Sequence, residues 1–374
     1  MVEQGTVTAA GSRTAPRLHE IDLLRFIAAL AVVLVHYTYS GLRVGTHDVA
    51  FPDLLTEITR YGYLGVDLFF LISGLVVFMS SWGRRASTFL VSRASRLYPA
   101  FWAAATLTAV VVVTVGPPGH DGVTLSQYLI NLTLLPAPLD VPYLETVYWT
   151  LWAEFRFYAL LFVFTLIGIT VKRAHWFMWA WLATSAASAV LPLPAGVGRL
   201  LDLLVQPLYS HYFIAGMALY LVYRFGYSGS LVLLLAGCYV SALYRGVEHM
   251  DMLTAEGSEL SAVVVAAVVT VIFAVMILVA SGALSALRRP ALEKLGALTY
   301  PLYLVHATLG YVLFDLLSPA VNRWVLLVGV IGLMCVLSWA IHRWVETPLQ
   351  PWMRTTLTRG WDSVRATRPV AGRR

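Results

Sequence analysis

Ten apolar runs of about 20 residues, the length of a helix that crosses a bilayer core, divide this chain. They fall near 21–40, 63–82, 97–115, 147–171, 174–192, 206–224, 229–245, 259–281, 296–317 and 323–343. Between them stand helix breakers: Gly83, Gly116-Pro117-Pro118-Gly119, Pro192-Leu193-Pro194, Gly226, Gly282 and Ser318-Pro319. Hydrophobic residues make up 59% of the chain and charged residues only 12%. A soluble domain cannot hide that much apolar surface, and in lipid each span must satisfy its own backbone. The expected fold is all-α, a polytopic membrane protein of about ten transmembrane helices. An even number of spans puts both termini on one side.

Charge says which side. Arg84, Arg85, Arg93, Arg96, Lys172, Arg173, Arg224, Arg288, Arg289 and Lys294 all fall on the terminal side, as do Arg13, Arg17 and the arginines from Arg343 to Arg374. The opposite loops hold Arg43, Arg60, Arg199, Arg245 and Arg323, with acids such as Asp48, Asp53, Glu57, Glu248, Asp251 and Glu256. The positive-inside rule then places both termini in the cytosol, in an inner or plasma membrane. Topology accounts for the net charge of +6, and nucleic acid is not an expected partner. Residues 1–18 lack the apolar core of a signal peptide and read as a disordered cytosolic N-terminus; 350–374 read as a basic cytosolic tail. Cys238 and Cys335 lie inside apolar runs, as small hydrophobes rather than a disulfide framework. No zinc spacing, P-loop or dinucleotide fingerprint appears, so neither a metal nor a permanently bound cofactor is expected.

Four groups of polar residues stand out against this background. Arg25 and His36 share the first span; eleven residues at about 100° each bring them within roughly 20° of one another, roughly 16 Å apart along the axis. Intramembrane charge is costly and commonly functional, although Arg25 alone also reads as a snorkelling anchor. Arg93 and Arg96, three apart before the third span, project to one side and suit phosphate; they equally suit anionic headgroups of membrane lipid. Glu154, among Trp149, Trp152 and Phe155, needs a partner, and His36 is the candidate. Asp67 opens the second span, where it orients His36 or caps a helix. His306, after Tyr300 and Tyr303, reads as a packing histidine or as part of a path. His249 and His342 look incidental.

These residues resemble the membrane acyltransferase 3 family. The resemblance rests on Arg25 and His36 with ten residues between them, on Gly65-Val66-Asp67-Leu68-Phe69-Phe70-Leu71-Ile72-Ser73-Gly74, and on Arg93-x-x-Arg96. It extends through Tyr148-Trp149-Thr150-Leu151-Trp152-Ala153-Glu154-Phe155, Leu298-Thr299-Tyr300-Pro301-Leu302-Tyr303-Leu304-Val305-His306 and Trp344-Val345-Glu346-Thr347-Pro348. The segments run in family order over 19–349, which reads as the acyltransferase domain. Thr150 and Thr299 stand where the family usually has serine, and Pro301 interrupts the ninth span.

The resemblance implies an O-acyltransferase. Acetyl-CoA or another short acyl-CoA would be drawn from the cytosol, its nucleotide on Arg25, Arg93 and Arg96. The acceptor would be a hydroxyl of an extracytoplasmic carbohydrate or glycolipid. His36 would act as base and Glu154 would orient it; an acyl-His36 intermediate, or Glu154 as proton shuttle, stays open. Asp67, Ser73, Tyr300 and His306 would line the path, and Glu346-x-Pro348 would end a helix. The acyl group either reaches its acceptor within the membrane domain or passes to a separate extracytoplasmic transferase. The residues alone also fit a transporter or flippase, and among enzymes an acyltransferase acting on an antibiotic sugar.

Overall fold

The computed structural model describes residues 18–116, 122–255, 257 and 259–366. Most of the N-terminal segment and the last residues of the basic tail, with the Pro117-Pro118-Gly119 block and Glu256, lie outside the described residues. The described chain is helical and contains no strand. In order, the long helices are α1 (His19–Val35), α2 (Gly65–Ser81), α3 (Ala86–Val115), α4 (Trp149–Ile167), α5 (Val171–Val190), α6 (Ser210–Phe225), α7 (Gly229–Ala255), α8 (Ala262–Ala280), α9 (Leu292–Leu317), α10 (Arg323–Ile341) and α11 (Thr347–Ala366).

Eight helical stretches among the described residues are long and apolar enough to cross a membrane. They correspond to eight of the ten apolar runs. The other two runs became α5, which opens with Lys172 and Arg173, and α6, which has 16 residues and is buried continuously from Ser210 to Val222. α6 packs along α2, and α1 packs along α9, so α1, α2, α6 and α9 enclose the middle of the molecule.

The α2–α6 contact depends on two glycines. A Cβ on Gly74 would overlap the Phe213 carbonyl, and one on Gly216 would overlap the Leu71 carbonyl and the Leu75 nitrogen. Backbone-to-backbone approach of this kind is how helices associate where water supplies no hydrophobic drive. Gly216→Leu must push the helices apart, and overpacking of this sort costs about 1–3 kcal/mol or more. A clear fall in thermal unfolding temperature of the detergent-solubilised protein is the expected result; an unchanged temperature would mean the interface tolerates separation.

Three local expectations change. α3 begins at Ala86, so Arg93 and Arg96 lie within it rather than before it. Pro301 does not interrupt α9, which runs through it; the ring removes only the bond that would reach the Ala297 carbonyl. Glu346 and Pro348 do not terminate a helix. α10 widens into a π-turn at His342–Glu346 and continues as α11. The Pro348 ring removes one N–H from this continuing helix, while the Thr347 hydroxyl donates to the His342 carbonyl at 2.8 Å.

Candidate active site

α1 is regular from His19 to Val35 and widens into a π-turn at His36–Ser40. The 3.6-residue period therefore holds from Arg25 to His36, and both side chains face the interior of the bundle. Three adjoining cavities run beside this face. The first is lined by Arg25, Ser73, Arg93, Arg96, Glu154 and Tyr158. The second shares Arg25, Ser73, Glu154 and Tyr300 with it and adds Thr150 and Tyr303. The third shares Val66 and Tyr303 with the second and contains His36, Asp67, Tyr63, Trp149, Tyr209 and His249. A file thus leads from an arginine pocket to an imidazole.

The arginine pocket is strongly cationic. Arg96 and Glu154 both act electrostatically on Arg25 and on Arg93, and the Arg93 guanidinium stands 6.0 Å from the Tyr158 ring centroid. Among the described residues none of the three arginines closes an ion pair, and the Arg93 Nε is buried without a hydrogen-bond partner. Three guanidinium groups against one carboxylate leave a pocket suited to a phosphate-bearing anion. Tyr300 lies at its inner edge and donates to the Leu97 carbonyl at 3.0 Å.

Glu154 is not beside His36. Its carboxylate accepts hydrogen bonds from Ser73 at 2.8 Å and Tyr158 at 2.6 Å. The expected pairing with His36 is therefore not formed: Glu154 lines the arginine pocket, where guanidinium charges attract a buried carboxylate more strongly than a neutral imidazole does. Asp67 does line the His36 cavity, but its carboxylate accepts from the Tyr212 hydroxyl at 2.9 Å rather than from His36. Arg156 turns away to the Asp202 carbonyl, 2.7 Å distant.

His36 has a different partner. Its Nδ1 lies 2.5 Å from the Tyr311 hydroxyl. His306 packs edge-on against it, ring centroids 5.1 Å apart. The His306 Nδ1 pairs with the Tyr303 carbonyl at 2.9 Å, while its fully buried Nε2 has no hydrogen-bond partner. The turn of α9 that carries His306 is held by side chains from elsewhere. Tyr37 donates to the His306 carbonyl at 2.7 Å, and the Thr308 N–H donates to the Glu145 carboxylate at 3.0 Å. Glu145 is itself fully buried. Substituting it with leucine removes the bonds its carboxylate accepts from the Thr308 and Thr146 N–H groups, at a cost of about 1–3 kcal/mol, which chemical or thermal unfolding will register as lost stability.

A family model described as an acyltransferase domain matches residues 18–343. The chain belongs to the acyltransferase 3 family. That span includes all three cavities. A curated relative, the acyltransferase MdmB of Streptomyces mycarofaciens, is 30% identical over 193 residues, 48% of this chain. The match spans 46% of that protein, less than half its length. No solved structure matches.

Sequence reading missed Tyr311 and dismissed His249. Tyr311 lies five residues after His306 and 275 from His36, so no local period links it to the first helix. His249 faces the Tyr63 ring edge-on, centroids 5.6 Å apart, on a stretch of α7 that extends ten residues beyond the expected span.

Proposed function

We propose that this family member is an integral membrane O-acyltransferase. It takes an acetyl or other short acyl group from cytosolic acyl-CoA and places it on a hydroxyl of an extracytoplasmic carbohydrate or glycolipid. The single observation that carries this reading is the file of cavities joining Arg25, Arg93 and Arg96 to His36. An acyl-CoA has a polyanionic nucleotide, a long thin arm and a thioester at the far end, and the file offers cations, a narrow path and a base in that order. With both termini in the cytosol, the arginine pocket opens toward the donor and the His36 cavity toward the acceptor.

The chemistry follows from the partners of His36. An alcohol is a poor nucleophile near neutral pH and needs a base. With Nδ1–H donating to the Tyr311 oxygen, Nε2 is the proton acceptor. It takes the hydroxyl proton as the acceptor oxygen bonds to the thioester carbonyl carbon. The tetrahedral adduct then collapses, the carbon–sulfur bond breaks, and the departing CoA sulfur receives the proton. Tyr311 is a positioning residue that fixes the orientation of the imidazole ring. Glu154 moderates the charge of the arginine pocket.

The third cavity supplies an acceptor site of suitable chemistry. Trp149 and Tyr209 lie ring to ring, centroids 5.2 Å apart, with Tyr63, Asp67 and His249 beside them. Aromatic faces cover the C–H face of a sugar ring, while carboxylate, imidazole and phenol bond its hydroxyls. The Tyr63 hydroxyl is buried with no hydrogen-bond partner.

Radiolabelled acetyl-CoA incubated with purified protein and a panel of glycosides and glycolipids tests the proposal. Label on an acceptor oxygen, absent when the acceptor hydroxyl is methylated, is the expected result. No transfer to any hydroxylated acceptor, with the protein folded and donor bound, contradicts it. Tyr311→Phe separates positioning from structure. It removes the oxygen partner while keeping the ring, so kcat falls about tenfold, one hydrogen bond to a group that becomes charged, and KM for acyl-CoA stays the same. A shift in KM alone would assign Tyr311 to binding.

A further inference from the structure

A further cavity, largely apolar but with a cluster of polar side chains, lies outside this file between α5, α6 and α7. The first turn of α6 separates the two. Tyr209 and Tyr212 serve the His36 side, through the cavity wall and the bond to Asp67. Ser210 and His211 line the other side, with Ser185 from α5 and Ser241 and Arg245 from α7. The catalytic proposal uses none of these residues.

Two atoms call for an occupant. Ser185 is 4% exposed and His211 is 1% exposed, yet the Ser185 hydroxyl and the His211 Nε2 lack hydrogen-bond partners. Buried polar groups left in that state cost about 1–3 kcal/mol each, and native proteins rarely tolerate them without a partner. Arg245 acts electrostatically on His211. It pairs with Glu248 through Nη1 at 2.6 Å, which leaves the rest of its fork for a second acceptor. α6 also begins here with no side-chain cap, so the positive end of its dipole lies at the cavity. Hydroxyl, imidazole and guanidinium beside the positive end of a helix suit a tetrahedral oxyanion.

The mouth has the opposite character. Val190, Val240 and Tyr244 line it and are largely exposed, on the outer faces of helices in a membrane protein. A polar floor behind an apolar, laterally open mouth fits an amphiphile that enters head first.

We propose that the cavity between α5, α6 and α7 binds a phosphate group through Ser185, His211 and Arg245, apart from the acyl-transfer path. A lipid headgroup and free phosphate share this chemistry, and two arms distinguish them. Full-length protein in maltoside detergent, which carries no phosphate, is photolysed with a phosphatidylglycerol bearing a diazirine in its headgroup. Label on the α5 or α7 peptides that border the cavity is expected, about tenfold weaker in Arg245→Gln and in His211→Leu, the effect of losing one charge-assisted or buried bond. In the second arm, inorganic phosphate is titrated while thermal unfolding is followed. A rise in unfolding temperature that both variants lose assigns the site to soluble phosphate. Labelling that neither substitution weakens, together with no phosphate-dependent shift, overturns the proposal. Arg245 is less buried than His211, its side chain 14% exposed against 1%, so Arg245→Gln keeps the test valid should His211→Leu fail to fold.

Discussion

His36→Ala lowers kcat for acyl transfer by about a thousandfold while leaving KM for acyl-CoA nearly unchanged. The magnitude is that of a positioned base, which contributes about 10²–10⁴. The pattern follows from the cavities: His36 lines the third, and the arginines line the first. Removing the imidazole takes away the proposed proton acceptor and leaves the Tyr311 hydroxyl without its 2.5 Å partner, but touches none of the arginines of the first cavity. Glu154→Gln should behave the other way. It removes a negative charge among three guanidinium groups and tightens donor binding, while kcat changes less than in His36→Ala. Steady-state kinetics on the two variants decide the roles. A thousandfold fall in kcat for Glu154→Gln, with His36→Ala active, would transfer the base to the carboxylate.

The second large effect is on donor affinity. Arg93→Ala and Arg96→Ala should each raise KM for acyl-CoA about tenfold to a hundredfold, from about 1.5–3 kcal/mol per charge-assisted hydrogen bond. The double substitution should cost less than the product of the singles, because both groups address one ligand. Lysine at either position restores charge but not the two-pronged geometry, and recovers only part of the loss. An acyl-pantetheine, which lacks the nucleotide, supplies the control: its KM should not respond to either substitution. If acyl-pantetheine and acyl-CoA lose affinity equally, the arginines act on the arm or on the fold.

Much of this arrangement is written in local spacing. Arg25 and His36 share a face because α1 keeps its period up to the π-turn that begins at His36, so counting residues is enough. The three-residue step from Arg93 to Arg96 likewise holds, although the start of α3 does not show: no breaker separates the polar turns at Ala86–Arg96 from the apolar ones that follow. Periodicity says which face a residue occupies and nothing about which helix stands opposite. His36 is the expected partner of Glu154 for that reason, whereas the fold brings Ser73, Tyr158 and the arginines to it. Tyr311 reaches His36 from α9 and His249 reaches its cavity from α7, through packing that only the folded chain reveals. Pro301 and Pro348 look like breaks, yet each sits where one missing N–H is tolerated.

Passage of an acyl group through the protein, from the arginine side to the imidazole side, is tested most directly by sidedness. The protein is reconstituted in one orientation, as checked by protease access to its tail, into liposomes impermeable to CoA. Radiolabelled acetyl-CoA is sealed on the face bearing the termini, and a soluble glycoside acceptor is placed on the other. Acetylated glycoside should appear across the membrane, and should disappear when donor and acceptor share either face or when His36 is alanine. Product formed only with donor and acceptor on the same side would contradict the account.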